Sequence, residues 1–106
     1  MNKSNVDTKD LISKKCDQLK QLLISKNIKY GDSALFPLHL FSKQSNLEQL
    51  NVRIDDKLNR IINKKDNEDE DVYFDLTGYL ILYMIARDLQ ENNNNNNNTE
   101  NNNKTE

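Results

Sequence analysis

"DVYFDLTGYLILYM", residues 71–84, decides how this chain is read. If the stretch is helical, apolar side chains surround it: Val72, Phe74, Leu76, Leu80, Ile81, Leu82, Met84 and, one residue on, Ile85. A helix apolar on every side belongs in the middle of a fold, so the spacing predicts a central helix over about residues 69–90. Set into it are Asp71 and Asp75, four residues apart and therefore on one stripe. A carboxylate carried into such a helix is costly unless a metal, an arginine or several donors satisfy it. The same line continues through Gly78, Leu82 and Leu89. Gly78 gives up about 1 kcal/mol of helix propensity relative to alanine, and in return lets another helix or a ligand approach beside Asp75. Tyr79, one turn on, is in reach of Asp75 or of a base.

Outward from this helix the chain is helical as well, since two glycines and one proline in 106 residues are too few for a turn-rich β fold. Asp7 or Thr8 caps a first helix ending at about Lys26, with Asp10 in its first turn. Leu11, Ile12, Cys16, Leu19, Leu22 and Leu23 fall on one side of it, which makes Cys16 a small core residue. A second helix over about residues 47–63 buries Ile54, Leu58, Ile61 and Ile62. Arg53, Lys57 and Arg60 form a neighbouring stripe, Asp55 flanks the apolar face on its other side, and Asp56 points away.

Between these helices lies "NIKYGDSALFPLHLFSKQS", residues 27–45, which holds Gly31 and Pro37 and has no helical period. It reads as a long ordered connector pinned by Tyr30, Phe36 and Phe41, and Lys29, Tyr30, Asp32 and Ser33 are its polar positions for a ligand. Residues 64–71 form a charged connector whose Asp66, Glu68, Asp69 and Glu70 suit the positive end of the helix that follows. The fold class expected is all-α, a small bundle of three main helices in one domain over residues 7–91. Residues 1–6 are expected to be flexible, and the asparagine-rich residues 92–106, which contain no apolar side chain, to be disordered. A core this small gains from burial against a second subunit, so a homodimer is expected.

Composition excludes several classes. The net charge is −2, with no basic stripe interleaved with aromatics, so nucleic acid is not an expected partner. No apolar run reaches the length of a membrane span, and the N-terminus lacks the apolar core of a signal peptide. Cys16 and His39 each stand alone, which rules out a disulfide framework or a cysteine-based zinc site within one chain. A soluble, cytoplasmic protein is the expectation.

A short connector sets the second and third helices antiparallel, so that Asp71 and Asp75 face Arg53, Lys57 and Arg60. Carboxylate oxygens suit Mg²⁺ or Mn²⁺, which also take phosphate oxygens and water. Arginine and lysine hold the remaining phosphate charge. The constellation therefore predicts a (deoxy)nucleotide site: Asp71 and Asp75 on the metal, Arg53, Lys57 and Arg60 on the phosphates, and Lys29, Tyr30, Asp32 and Ser33 closing over the ligand. Asp55 or Asp56 is the candidate base for activating a water. The alternative is a non-enzymatic interaction or ligand-binding module, in which Asp71 and Asp75 are structural and bonded to Arg53 or Arg60.

Three blocks carry a resemblance: "YGDSALFPLHLFSK" (30–43), "VRIDDKLNRI" (52–61) and "EDEDVYFDLTGYLIL" (68–82). In this order they resemble the YG-(D/N)-S, R-I-x-D-K-x-x-R and D-x-x-x-D-L-x-x-Y elements of the nucleotide modification associated domain group, small phage and bacterial proteins. The resemblance spans about residues 26–87 and implies a role in nucleotide metabolism or modification. More loosely, the chain is similar to the all-α nucleoside triphosphate pyrophosphohydrolases of the MazG and dUTPase type. Those hold Mg²⁺ on helical E-x-x-E and E-x-x-D motifs and split a nucleotide into its monophosphate and pyrophosphate. Here Asp71-x-x-x-Asp75 stands in the later position, and the earlier one has only the adjacent Asp55 and Asp56.

Overall fold

The computed structural model describes residues 6–64 and 71–104. Among these residues there are three helices and no strand: α1 (Thr8–Tyr30), α2 (Asn46–Ile62) and α3 (Val72–Lys104). The all-α class is as the composition requires. The chain divides into two compact units, Met1–Asp32 and Ser33–Glu106.

The first unit is α1. Asp7 is its cap, accepting from the Lys9 N–H at 3.0 Å. At the other end the Gly31 N–H donates to the Asn27 carbonyl at 2.7 Å. Gly31 has φ +70°, a conformation closed to most side chains, so the helix stops there. The Asn27 amide ties this end further by donating to Asp32 Oδ1 at 2.7 Å. Lys29 and Tyr30 are therefore the last turn of a helix and not part of the connector. On α1 only Leu19 is buried. Cys16, expected in the core, is exposed. It sits about 60° around the helix from Leu19, at the edge of the apolar stripe and not at its centre.

The second unit is built on α2 and α3. Ser45 caps α2, its Oγ accepting from the Glu48 N–H at 3.1 Å. Ser45-x-x-Glu48 is the spacing of a capping box, so this start is written in the sequence. At the far end Lys64 takes φ +53°, and its N–H donates to the Ile61 carbonyl at 3.2 Å. Residues 65–70, with the expected roles of Asp66, Glu68, Asp69 and Glu70, lie outside the described residues. α3 opens at Asp71, whose Oδ1 accepts from the backbone N–H groups of Tyr73 (3.1 Å) and Phe74 (3.2 Å). It does not end near Gln90 but continues to Lys104, through the asparagine run expected to be disordered. No glycine or proline follows Gly78 to stop it, and extending an existing helix needs no new nucleus.

α2 and α3 pack on each other. Lys57 meets Asp75, and four residues back on α2 Arg53 meets Tyr79, four residues forward on α3. That is antiparallel register. Continued at the same step, it places Ile54 level with Gly78 and Leu50 level with Leu82. Leu50, Val72, Gly78 and Ala86 are buried. The side of α2 that turns inward differs from the expected one. Leu50, Ile54, Lys57 and Ile61 form the inner line, while Leu58 and Ile62 are exposed at 41% and 75%. The helix is turned by about 60° from the face of Ile54, Leu58, Ile61 and Ile62, toward the cationic stripe. The physical reason is Asp75: a carboxylate on the inner side of α3 needs a cation opposite, and Lys57 supplies it only in this rotation.

The connector is held differently from the expectation too. Tyr30, Phe36 and Phe41, expected to pin it, are 62%, 61% and 97% exposed. Polar groups at the start of α2 hold it instead. Asn46 Nδ2 donates to the Leu35 carbonyl at 3.0 Å, and its Oδ1 lies 2.8 Å from His39 Nε2. Gln49 Nε2 lies 3.2 Å from His39 Nδ1 and donates to the Gln44 carbonyl at 3.3 Å. An amide donor on Nδ1 and an amide oxygen on Nε2 fit the imidazole tautomer protonated at Nε2. No helix among the described residues is long and apolar enough to cross a membrane.

Candidate functional site

The chemistry of the second unit lies along the seam between α2 and α3. Lys57 Nζ is 3.5 Å from Asp75 Oδ2, with the two side chains 9% and 8% exposed. The distance exceeds the 2.7–2.9 Å typical of a charge-assisted hydrogen bond, so the two groups neutralise each other without a tight bond. Lysine tolerates the position because its aliphatic stem packs along apolar surface. One turn away the Arg53 guanidinium lies 6.0 Å from the Tyr79 ring centroid, both residues being half-buried. Arg60 is 3.7 Å from Asp56 on its own helix. This last pair is solvent-facing and worth little.

The two expected metal ligands therefore already have structural employment. Asp71 is exposed and caps α3 through Oδ1. Asp75 is ion-paired with Lys57, where the sequence pointed to Arg53 or Arg60 as its structural partner. Asp55 and Asp56 are exposed. Among the described residues no three acidic, histidine or cysteine side chains are grouped as a metal cage. A hard cation carried by a phosphate ligand asks for less, commonly one or two carboxylates with phosphate oxygens and water completing its shell. Asp75 and Asp71, one turn apart, fit that smaller requirement provided Lys57 yields its carboxylate.

The expected closing positions fall on both sides of the boundary between the two units. Lys29, Tyr30 and Asp32 belong to the first unit, with Lys29 Nζ 5.2 Å from the Tyr30 ring centroid. Ser33 is exposed and begins the second. The structure thus brings Arg53, Lys57, Asp75 and Tyr79 together. The His39–Asn46–Gln49 clasp was not foreseen. A lone histidine preceding two amides spaced three apart on the first turn of α2 is the signal that could have revealed it.

Fold and seam together define a small all-α protein in which a cationic helix face, an aromatic ring and a buried carboxylate converge. No family model matches the chain, and neither a curated protein nor a solved structure matches it significantly.

Proposed function

We propose that the protein binds a nucleotide and serves nucleotide metabolism or modification. The observation that carries this reading is the convergence of Arg53 and Lys57 on α2 with Asp75 and Tyr79 on α3. A nucleotide offers what such a site recognises: negative charge for the Arg53, Lys57 and Arg60 stripe, and a flat base for the Tyr79 ring. The three sequence blocks similar to the nucleotide modification associated group support the same ligand class, and two of them contribute these residues. Mg²⁺ or Mn²⁺ would be held by Asp75 and Asp71, and when bound would neutralise phosphate charge and acidify a water. In this reading Lys57 holds the Asp75 carboxylate in place while no ligand is bound. If the site turns its ligand over, the reaction is pyrophosphohydrolysis, with Asp55 or Asp56 as the base.

A second reading has one observation in its favour. Both acidic residues carry a structural task, as cap and as ion pair, which suits a non-enzymatic ligand-binding or interaction module. Thermal melting across a grid of Mg²⁺, Mn²⁺ and (deoxy)nucleotides separates the two. A ligand at 100 times its dissociation constant adds about 2.7 kcal/mol, and each kcal/mol raises the midpoint of a domain of this size by roughly 4–8 °C. A shift requiring nucleotide and metal together, lost in Arg53→Ala, is the expected result. Absence of any shift overturns nucleotide binding and leaves the interaction module.

A further inference from the structure

The Lys57–Asp75 pair joins two groups that the nucleotide reading needs for a ligand, the one for phosphate and the other for a cation. Its geometry suits exchange better than permanence. The α2 stripe carries two arginines and one lysine, and the residue paired with Asp75 at 3.5 Å is the lysine. Arginine grips a carboxylate through two parallel bonds from a planar fork, whereas lysine is a point charge on a flexible stem. The separation shows attraction of charge without a short hydrogen bond. Rotation about the stem can carry Nζ away from Asp75 with no shift of either helix.

The surroundings decide what such an exchange requires. The two side chains are 9% and 8% exposed, so a charge deprived of its counter-charge here costs far more than it would at the surface. A phosphate that takes Lys57 alone deprives the Asp75 carboxylate of this cation. A divalent cation on Asp75 alone deprives the Lys57 ammonium of this anion. When phosphate and cation arrive together, each member of the pair trades one counter-charge for another, and the seam holds balanced charge throughout.

We infer that the Lys57–Asp75 pair is an autoinhibitory contact that selects the divalent-cation complex of a nucleotide over the free nucleotide. Phosphate displaces Asp75 from Lys57, and the released carboxylate passes to the cation. The inference rests on the nucleotide reading above and adds to it the form in which the ligand binds and the contact that keeps the other form out. Coupling of this kind is reciprocal, so nucleotide strengthens the hold on the cation by the same factor.

Isothermal titration calorimetry of the full chain tests this, with ATP, GTP and the four deoxynucleoside triphosphates as probes, each in MgCl₂ and in EDTA. The parent should bind at least about 100-fold more tightly with Mg²⁺, the size set by breaking a buried pair from one side. In Asp75→Asn, where no carboxylate competes for Lys57, the free nucleotide should bind at least about 10-fold more tightly than it binds the parent. In Lys57→Met/Asp75→Leu, which removes both charges of the pair together, the preference for Mg²⁺ should fall below about 3-fold. Circular dichroism checks that each variant is folded, and the double variant carries the test if Asp75→Asn is not. Equal binding by the parent in MgCl₂ and in EDTA overturns the inference and leaves the nucleotide reading standing. A folded Asp75→Asn with no gain for free nucleotide overturns it as well, since Asp75 would then serve the cation without restraining Lys57. So does a preference for Mg²⁺ that persists in the double variant. No binding of any triphosphate in either buffer removes the nucleotide reading and this inference with it.

Discussion

Replacing Asp75 by alanine removes the carboxylate that faces Lys57 and leaves an ammonium in a seam where the lysine side chain is 9% exposed. Breaking a buried pair from one side costs roughly 3–5 kcal/mol. The 3.5 Å separation is longer than a charge-assisted hydrogen bond, which puts this pair toward the lower end, about 3 kcal/mol. For a domain this small that corresponds to a fall of roughly 12–24 °C in the melting midpoint, most of the margin that separates it from the unfolded state. Substituting both partners, Lys57→Met with Asp75→Leu, removes the two opposite charges of the pair together. The double variant should lie within about 1 kcal/mol of the parent or above it. Urea titrations of the parent, both single variants and the double variant close a cycle whose coupling term is the quantity of interest. A loss below about 1 kcal/mol for Asp75→Ala would refute the assignment of Lys57–Asp75 as the interaction that sets the rotation of α2. So would a double variant as unstable as the two singles combined.

Other consequences are smaller and separable. Asp71→Ala should cost about 1 kcal/mol through loss of the cap on the Tyr73 and Phe74 N–H groups, and Asp71→Asn almost nothing. If nucleotide-dependent stabilisation falls in Asp71→Asn while the ligand-free melting point holds, the second oxygen of Asp71 serves the ligand. Lys64→Gly should stabilise by about 0.5–1 kcal/mol, since Lys64 stands at φ +53° just beyond α2 where glycine has no steric penalty; a drop in melting point would count against that backbone geometry. Asn46→Ala removes the clasp on the Leu35 carbonyl and His39, so limited proteolysis within residues 36–43 should quicken while α2 and α3 persist. Unchanged cleavage would show that the loop is held by something else.

Much of the fold is local and could be read before any coordinates. Scarce glycine and proline, the Asp7 cap, and the long apolar run after Asp71 suffice for three helices, because caps and periodicity act within a few residues of chain. Ser45-x-x-Glu48 belongs with these local signals, because a cap acts within one turn of the helix it starts. The two stripes that build the seam were visible as well, since Arg53, Lys57 and Arg60, like Asp75 and Tyr79, recur at helical spacing. What the sequence could not order was the competition among them. Periodicity ranks residues by apolarity, and by that measure α2 should have turned Leu58 and Ile62 inward and kept Lys57 at the side.

The outcome was decided across the seam. A carboxylate on the inner side of α3 sets a penalty that a cation on the facing helix offsets, and that long-range requirement outweighed the burial of two aliphatic side chains. The same holds for the connector. Its aromatics look like anchors when counted along the chain, yet its position is set by where the Asn46 and Gln49 amides project from the first turn of α2. Helices and their ends belong to the sequence alone, because hydrogen bonds and caps are satisfied within one turn. Which face each helix buries, and which charge meets which, belongs to the tertiary structure, because those energies exist only once two elements share an interface.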